Sequence, residues 1–303
     1  MTATFLDIAA DMPPGRPRMF VETFAGSSQL LQFLPVDNTS NGRKEVEREA
    51  ELGSSAFRAI NESYTPDSGR TETQAFNTKI VGGEVKVDTR IVARGGERAR
   101  LQREQMKAKS MIQLLDYTLV NGDQQSNPKE FDGMLALVAG GQQEVANTGA
   151  GGALSLYDLD QAIGRCLNPG AIYGPRAMKW RLTQAARNTA VGGDIRWEKD
   201  AFGEQIMLYN GLPFLEADPP KHAQVPLGFT EGAGSNETSL YILSLDGTGL
   251  EIFTMGDLAV KDFGEVSQSP HFITRFEWEM GLALNDETGI VRLKGIQNKA
   301  VVV

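Results

Sequence analysis

The chain has 303 residues, 41% hydrophobic and 23% charged, enough for one large domain or two smaller ones. A formal net charge of −9 argues against binding nucleic acid through a broad basic face, while leaving room for a container whose wall only tolerates that charge. No apolar run approaches the roughly 20 residues of a membrane helix, no basic start leads into an apolar core, and one cysteine, Cys166, excludes an intrachain disulfide.

In chain order, Met1–Met12 has the pattern of a short amphipathic helix, ended by Pro13-Pro14, with Gly15-Arg16-Pro17 continuing the break. Met19–Leu34 is apolar and helical in part, and Pro35 stops it before the polar loop Asn38–Gly42. This opening has too many breaks for a core of its own and reads as an arm that lies across something else. Arg43–Ala50 alternates charges, the pattern of a solvated strand or loop. Ser55–Ile60 can form strand, and Tyr64–Arg70 a loop tip. In Thr71–Val92, Ile80, Val81, Val85, Val87, Ile91 and Val92 nearly alternate with polar residues around Gly82-Gly83, which predicts strand, bend, strand. A two-stranded excursion buries too little to be stable alone, and a neighbouring copy of the chain is the natural cover.

Glu97–Val120 contains no Gly or Pro, and Leu101, Ala108, Met111, Ile112, Leu115 and Leu119 recur at three- and four-residue steps. Arg98, Arg103, Glu104, Lys107 and Lys109 fall mostly on the other side. The spacing predicts a helical rod of roughly 36 Å, bounded by Arg94-Gly95-Gly96 and Asn121-Gly122-Asp123. Beyond it a polar stretch closes on Phe131 and Met134, and Gln142–Gly152 is a glycine-rich crossing. Ser155 caps a helix with Leu156, Leu159, Ile163 and Leu167 as its buried stripe. Ala171–Gly174 is a short buried strand, and Pro175–Thr189 a helix with proline in its first turn. Short strands follow at 195–197, 205–208 and 212–215, with a turn at 201–203. After a polar loop, Pro219–Asn236, come strands at 240–245, 250–254, 258–263, 272–284 and 290–296. Helices among many strands, without a strand–helix–strand rhythm, give an α+β class.

The chain lacks a GxSxG elbow, a GxxxxGK[ST] loop and a GxGxxG after a strand. Cys166 sits in a helical pattern as a small buried hydrophobe rather than a nucleophile. Asp158 and Asp160 are first-turn acids rather than a metal pair. Met178-Lys179-Trp180-Arg181 could stack on a nucleotide, but at helical spacing it is half core and half solvated face. His222 and His271 lie near no cluster of metal-ligand type, so neither catalytic, cofactor nor metal residues are assigned.

The C-terminal third carries Leu258–Val266 with Lys261-Asp262-Phe263-Gly264-Glu265, then Thr274–Ala283 with Arg275-Phe276-Glu277-Trp278-Glu279-Met280-Gly281, then Val291–Ile296. In their order and spacing these resemble the K-D-x-G-E, R-x-E-W-x-x-G and R-L-x-x-I strands of tailed-bacteriophage major capsid proteins. Asn121-Gly122, Asn127-Pro128 and Phe131–Met134 are similar to that family's stretch after its long helix. The resemblance covers nearly the whole chain, from Phe20 onward. It implies the Hong-Kong-97-type capsid fold, with residues 1–52 as N-terminal arm and 53–93 as an extended loop over a neighbouring subunit. Residues 94–148 would be the spine helix and first part of the peripheral domain, 149–250 the axial domain, and 251–303 the return strands of the peripheral domain.

The resemblance further implies a non-enzymatic head protein assembling into pentamers and hexamers of an icosahedral virion shell in the host bacterial cytoplasm. That shell would enclose double-stranded DNA without sequence-specific binding and without a membrane. Because the chain starts almost at the arm, scaffolding is expected from a separate protein or not at all; a portal is expected too, with decoration proteins as further candidates. Some relatives join a loop lysine to a neighbour's asparagine; Lys79 or Lys86 with Asn285 or Asn298 are the imaginable pairs, and no local motif supports one. The residues expected to form intersubunit salt bridges are Glu62, Arg70, Lys79, Glu84, Lys86 and Arg90, although a solvated face suits each equally well. Two alternatives stand beside this reading: a bacterial nanocompartment (encapsulin-like) shell, and, more remotely, a soluble hydrolase using His271 or His222.

Overall fold

A computed structural model describes residues 3–138, 143–187, 195–199, 203, 205–217, 225–265 and 269–302. Three short helices open the chain: α1 (Phe5–Asp11), α2 (Arg16–Ser27) and α3 (Gln29–Phe33). Then come β1 (Val36–Asn38), β2 (Arg43–Glu51), β3 (Arg70–Asn77), β4 (Lys79–Asp88) and the long helix α4 (Thr89–Asn121). The body continues through α5 (Met134–Val138), β5 (Glu144–Ala146), α6 (Leu156–Arg165), β6 (Ala171–Pro175), α7 (Arg176–Ala185), β7 (Ile195–Lys199), β8 (Gln205–Tyr209) and β9 (Leu212–Ala217). It ends with β10 (Glu237–Leu243), β11 (Leu250–Thr254), β12 (Ala259–Glu265), β13 (His271–Leu284) and β14 (Ile290–Gln297).

β13 is the axis of a five-stranded sheet. β4 pairs with its residues 271–280, β12 with 272–277 and β11 with 280–284, and β1 lies parallel to β11. A seven-stranded sheet runs β5-β14-β10-β6-β9-β8-β7. β14, grouped by the resemblance with β11 to β13, thus pairs with β10 and β5 instead. The main core lies between the first sheet and α1 to α4; a second packs α6 and α7 on the larger sheet. Phe5, Ala9, Phe20, Val21, Leu30, Leu31 and Leu34 are buried in the main core, with Phe5 edge-on to Trp278 and Phe20 edge-on to Phe276. Along this length the opening covers its own chain.

The excursion differs from its expected form. β3 pairs with β2 in a separate two-stranded ribbon, and β4 belongs to the body. Gly82 and Gly83 therefore make no bend. They lie mid-strand where neighbours press close: a Cβ on Gly82 would stand 2.4 Å from the Phe276 carbonyl oxygen. Ser55–Ile60 is irregular, because no strand runs beside it to pair with.

α4 starts earlier than the apolar pattern predicts. Asp88 Oδ1 accepts from the Arg90 backbone N–H at 2.7 Å, so Ile91 and Val92 are helical, not strand. The expected break is present inside the element, at Gly96, with φ 69° and ψ −176°. Those dihedrals are open almost only to glycine, and nothing lies within 4 Å of the place a Cβ would take. Gly96→Ala should cost about 1–3 kcal/mol through the backbone alone; an unchanged midpoint in urea unfolding would mean that the break relaxes into continuous helix. Ala108, Met111, Ile112, Leu115 and Leu119 are buried as the period predicts, and Leu101 is half-buried. Glu104 departs from its expected polar side and is fully buried. On α6, Ser155 Oγ accepts from the Asp158 N–H, whereas Leu167, expected in the stripe, lies past the helix end and is exposed.

Candidate assembly surface

β2 reads Arg43-Lys44-Glu45-Val46-Glu47-Arg48-Glu49, and its exposure alternates. The half-buried residues Lys44, Val46 and Arg48 face the body; Arg43, Glu45, Glu47 and Glu49 face solvent. Lys44 Nζ reaches Asp37 Oδ2 at 2.8 Å and also Glu251. Burial opposes its charge, but the hydrogen bonds to Asp37 and Glu251 outweigh that and hold Lys44 above the ordinary lysine value. Arg48 donates to Gln74 Oε1 at 2.8 Å, to Glu287 Oε1 at 3.3 Å and to the carbonyls of Asn285 and Leu284, with its guanidinium over Phe76. Two cations thus fix the base of the ribbon to the body, Lys44 against β1 and β11 and Arg48 against the end of β13 and the turn after it.

Beyond that base, residues 52–69 are exposed throughout. Leu52, Phe57, Ile60 and Tyr64 are all exposed, Phe57 at 107% and Ile60 at 91% of their free values. Among the described residues the tip is held from within: Ser54 N–H donates to Asp67 Oδ2 at 2.7 Å, Ala59 N–H to Glu62 Oε2 at 2.9 Å, and Arg58 lies over the Tyr64 ring. Four large apolar side chains on one uncovered excursion mark an interaction surface rather than scattered surface residues.

The six residues expected at intersubunit contacts separate by element. Glu62 and Arg70 lie on the excursion. Lys79, Glu84 and Lys86 lie on β4, in the body, and Arg90 in the first turn of α4. Glu84 Oε1 accepts from Arg275 Nε at 2.9 Å and Nη2 at 2.7 Å, and Lys79 Nζ donates to the Pro128 carbonyl at 2.8 Å, so both are engaged within this chain. Arg70, Lys86 and Arg90 are exposed and have no carboxylate partner among the described residues. Within the chain, Asn285 Nδ2 donates to Gly247 and Glu251, and Asn298 accepts from Arg181.

The remaining sequence candidates take structural positions. Cys166 is buried, and burial together with the Asp246 charge pushes its thiol up to about 12, far from a thiolate nucleophile. Asp158 accepts from Thr148 N–H and Oγ1, and Asp160 accepts from the Tyr209 hydroxyl. Trp180 is exposed on α7 while Met178 and Lys179 are buried. His271 opens β13, and its backbone N–H donates to Ser269 O at 2.7 Å. His222 lies outside the described residues, as does most of the turn at 201–203. Among the described residues no group of three or more His, Cys, Asp or Glu is placed to hold a metal ion.

Sequence reasoning missed two ionisable sites on α4: the buried Arg100–Glu104 pair, and half-buried Asp116, which accepts from Ser28 Oγ at 2.7 Å. The only local signal was the four-residue spacing of Arg100 and Glu104.

No family model matches the chain, and no curated protein matches it in sequence. Solved structures do match in fold. The SrpI encapsulin from Synechococcus elongatus superposes with a TM-score of 0.68 at 16% identity, over 91% of this chain and 89% of that one. A chain of Mycobacterium phage Adephagia gives 0.63 at 11% identity, over 100% and 99%. The capsid of a native GTA particle gives 0.62 at 17%, over 94% and 93%. The chain therefore has the α+β Hong-Kong-97-type shell fold that its motifs resemble.

Proposed function

We propose that the chain is the building block of a closed shell made of many copies of itself, the major capsid protein of a tailed, double-stranded DNA phage. One observation carries the reading: a body with a shell-protein fold holds out, on a ribbon fixed by Lys44 and Arg48, a tip whose apolar side chains are covered by none of the described residues. In a ring of copies the tip of each lies on the next, and repeated contacts of modest strength close the assembly. Pentamers and hexamers of an icosahedral head, with separate scaffolding and portal proteins, are the arrangement this implies. The likeness to an encapsulin supports a second reading, a nanocompartment around protein cargo.

Particle size decides first, by light scattering and negative-stain microscopy of the purified chain; nucleic-acid content then separates head from compartment. A chain that stays monomeric with its scaffolding protein co-expressed would overturn the shell reading. Phe57→Ser with Ile60→Ser tests the tip itself. Each side chain contributes about 1.5–3 kcal/mol when buried, so the pair should weaken each contact by about a hundredfold or more. Both residues are fully or almost fully exposed in the single chain, so its unfolding curve should not move. Normal shell yield from this variant would show that the tip does not seat on a neighbour.

A further inference from the structure

The outward face of the ribbon carries Glu45, Glu47 and Glu49 at every second position of β2. Opposite them β3 presents Ala75, Thr73 and Thr71, which bring no charge. Arg43 pairs with Glu45 at 2.8 Å. Glu47 and Glu49 have no cation partner among the described residues, and side by side on one strand face they repel each other. A second row, of opposite sign, lies on α4. Arg90, Arg94 and Arg98 are exposed, and among the described residues none of their guanidiniums meets a carboxylate. In a chain of net charge −9, that is a local concentration of positive charge. No ion pair joins β2 to α4 within one chain among the described residues, so beyond the Arg43–Glu45 pair the two rows do not neutralise each other there.

We infer that the glutamate row of one copy docks on the arginine row of a neighbouring copy, Glu47 and Glu49 against Arg90 and Arg94, with Arg98 adjoining. This rests on the shell reading and names the polar half of the contact whose apolar half is the tip. The geometry suits it. Alternate strand residues stand about 6.8 Å apart and helix residues four apart about 6 Å, so two carboxylates and two guanidiniums fall in step. Arg90 and Arg94 both precede the break at Gly96 and so share one straight helical piece. The ribbon's inner face is fixed by Lys44 and Arg48, so its outer face is presented in one orientation. Arginine matches carboxylate in a planar fork and suits such a contact better than lysine.

The test is charge reversal in the full chain, scored by shell yield in sedimentation against a wild-type chain that assembles. E47K with E49K, and separately R90E with R94E, should each lower yield by at least about tenfold, because like charges then face each other. The fourfold reversal should recover most of the yield. All four residues are exposed, so unfolding curves of the unassembled variants should match the wild type. Wild-type assembly should also weaken as salt rises from 0.1 to 1 M and the screening length falls from about 10 to about 3 Å. Undiminished yield from either double variant overturns the inference, as does a folded fourfold variant that fails to assemble. Shells of R90E with R94E that form normally but lose nucleic acid would assign the arginine row to the contents instead. A wild-type chain that never assembles overturns both this pairing and the shell reading, whereas an assembling wild type with indifferent reversals overturns the pairing alone.

Discussion

Replacing Arg100 with alanine lowers the unfolding free energy by about 3–5 kcal/mol, the expected cost of taking the partner from a carboxylate that water does not reach. Glu104, one helical turn on, has no solvent exposure. Arg100 Nε donates to Glu104 Oε1 at 3.1 Å, and its Nη2 reaches Asp262 Oδ1 at 2.5 Å and Thr274 Oγ1 at 2.8 Å. The Thr274 hydroxyl donates in turn to Glu104 Oε1 at 2.7 Å, and the guanidinium lies 5.2 Å from the Phe272 ring centroid. One arginine thus ties α4 to β12 and β13. Its removal leaves Thr274 as the hydroxyl donor to Glu104 but takes away the opposing charge. Urea unfolding reads the loss directly. Arg100→Met combined with Glu104→Leu should recover most of it, because a well-packed apolar pair needs no compensation. A loss below about 1 kcal/mol for Arg100→Ala would show that solvent enters and screens the site.

That network shows where sequence reading stops. The apolar period of α4 is a local pattern, and it located Ala108, Met111, Ile112, Leu115 and Leu119 in the core. Glu104 follows the same period, but a glutamate reads as solvent-facing until its partners are known, and Asp262 and Thr274 come from strands far away in the chain. The ribbon was misplaced for a related reason. The alternation around Gly82-Gly83 is real, but its complement is β13, not β3. β2, the true partner of β3, turns Lys44 and Arg48 inward with only Val46 between them, so its inward face carries little apolar signal. Placing Lys79 and Glu84 on a free loop followed from that shift; in the body they meet Pro128 and Arg275. Phe57 and Ile60 read as strand because apolar residues suggest cover, and the described residues of a single chain provide none. The fold itself was legible because the order of motifs from Asn121 to Ile296 follows elements whose pairing depends on the whole sequence of strands.

Asp116→Asn is expected to stabilise the chain at pH 8 by about 1–3 kcal/mol and to flatten its stability between about pH 4 and 7. Asp116 is half-buried on α4, between Leu115 and Tyr117. Burial pushes its carboxyl from 3.8 up to about 7, and the hydrogen bond from Ser28 Oγ only partly offsets this. The sign follows from proton counting. Between the two values the folded chain holds a proton that the unfolded chain has released, so stability falls as pH rises through this window and is flat above it. A shift of that size corresponds to about 4 kcal/mol at most, and partial contact with solvent reduces it. Asparagine removes the charge and keeps an oxygen that accepts from Ser28. That bond matters because the same hydroxyl accepts from the Leu31 N–H at 3.4 Å and caps α3, so it joins the α2–α3 junction to the long helix. Ser28→Ala should act oppositely: it loses about 1 kcal/mol of cap and moves the Asp116 transition to higher pH, because the one interaction favouring the charged form is gone. Urea unfolding of the three chains at half-unit pH steps reads all of this. Parallel pH profiles for the wild type and Asp116→Asn would place the carboxylate in water and remove the argument.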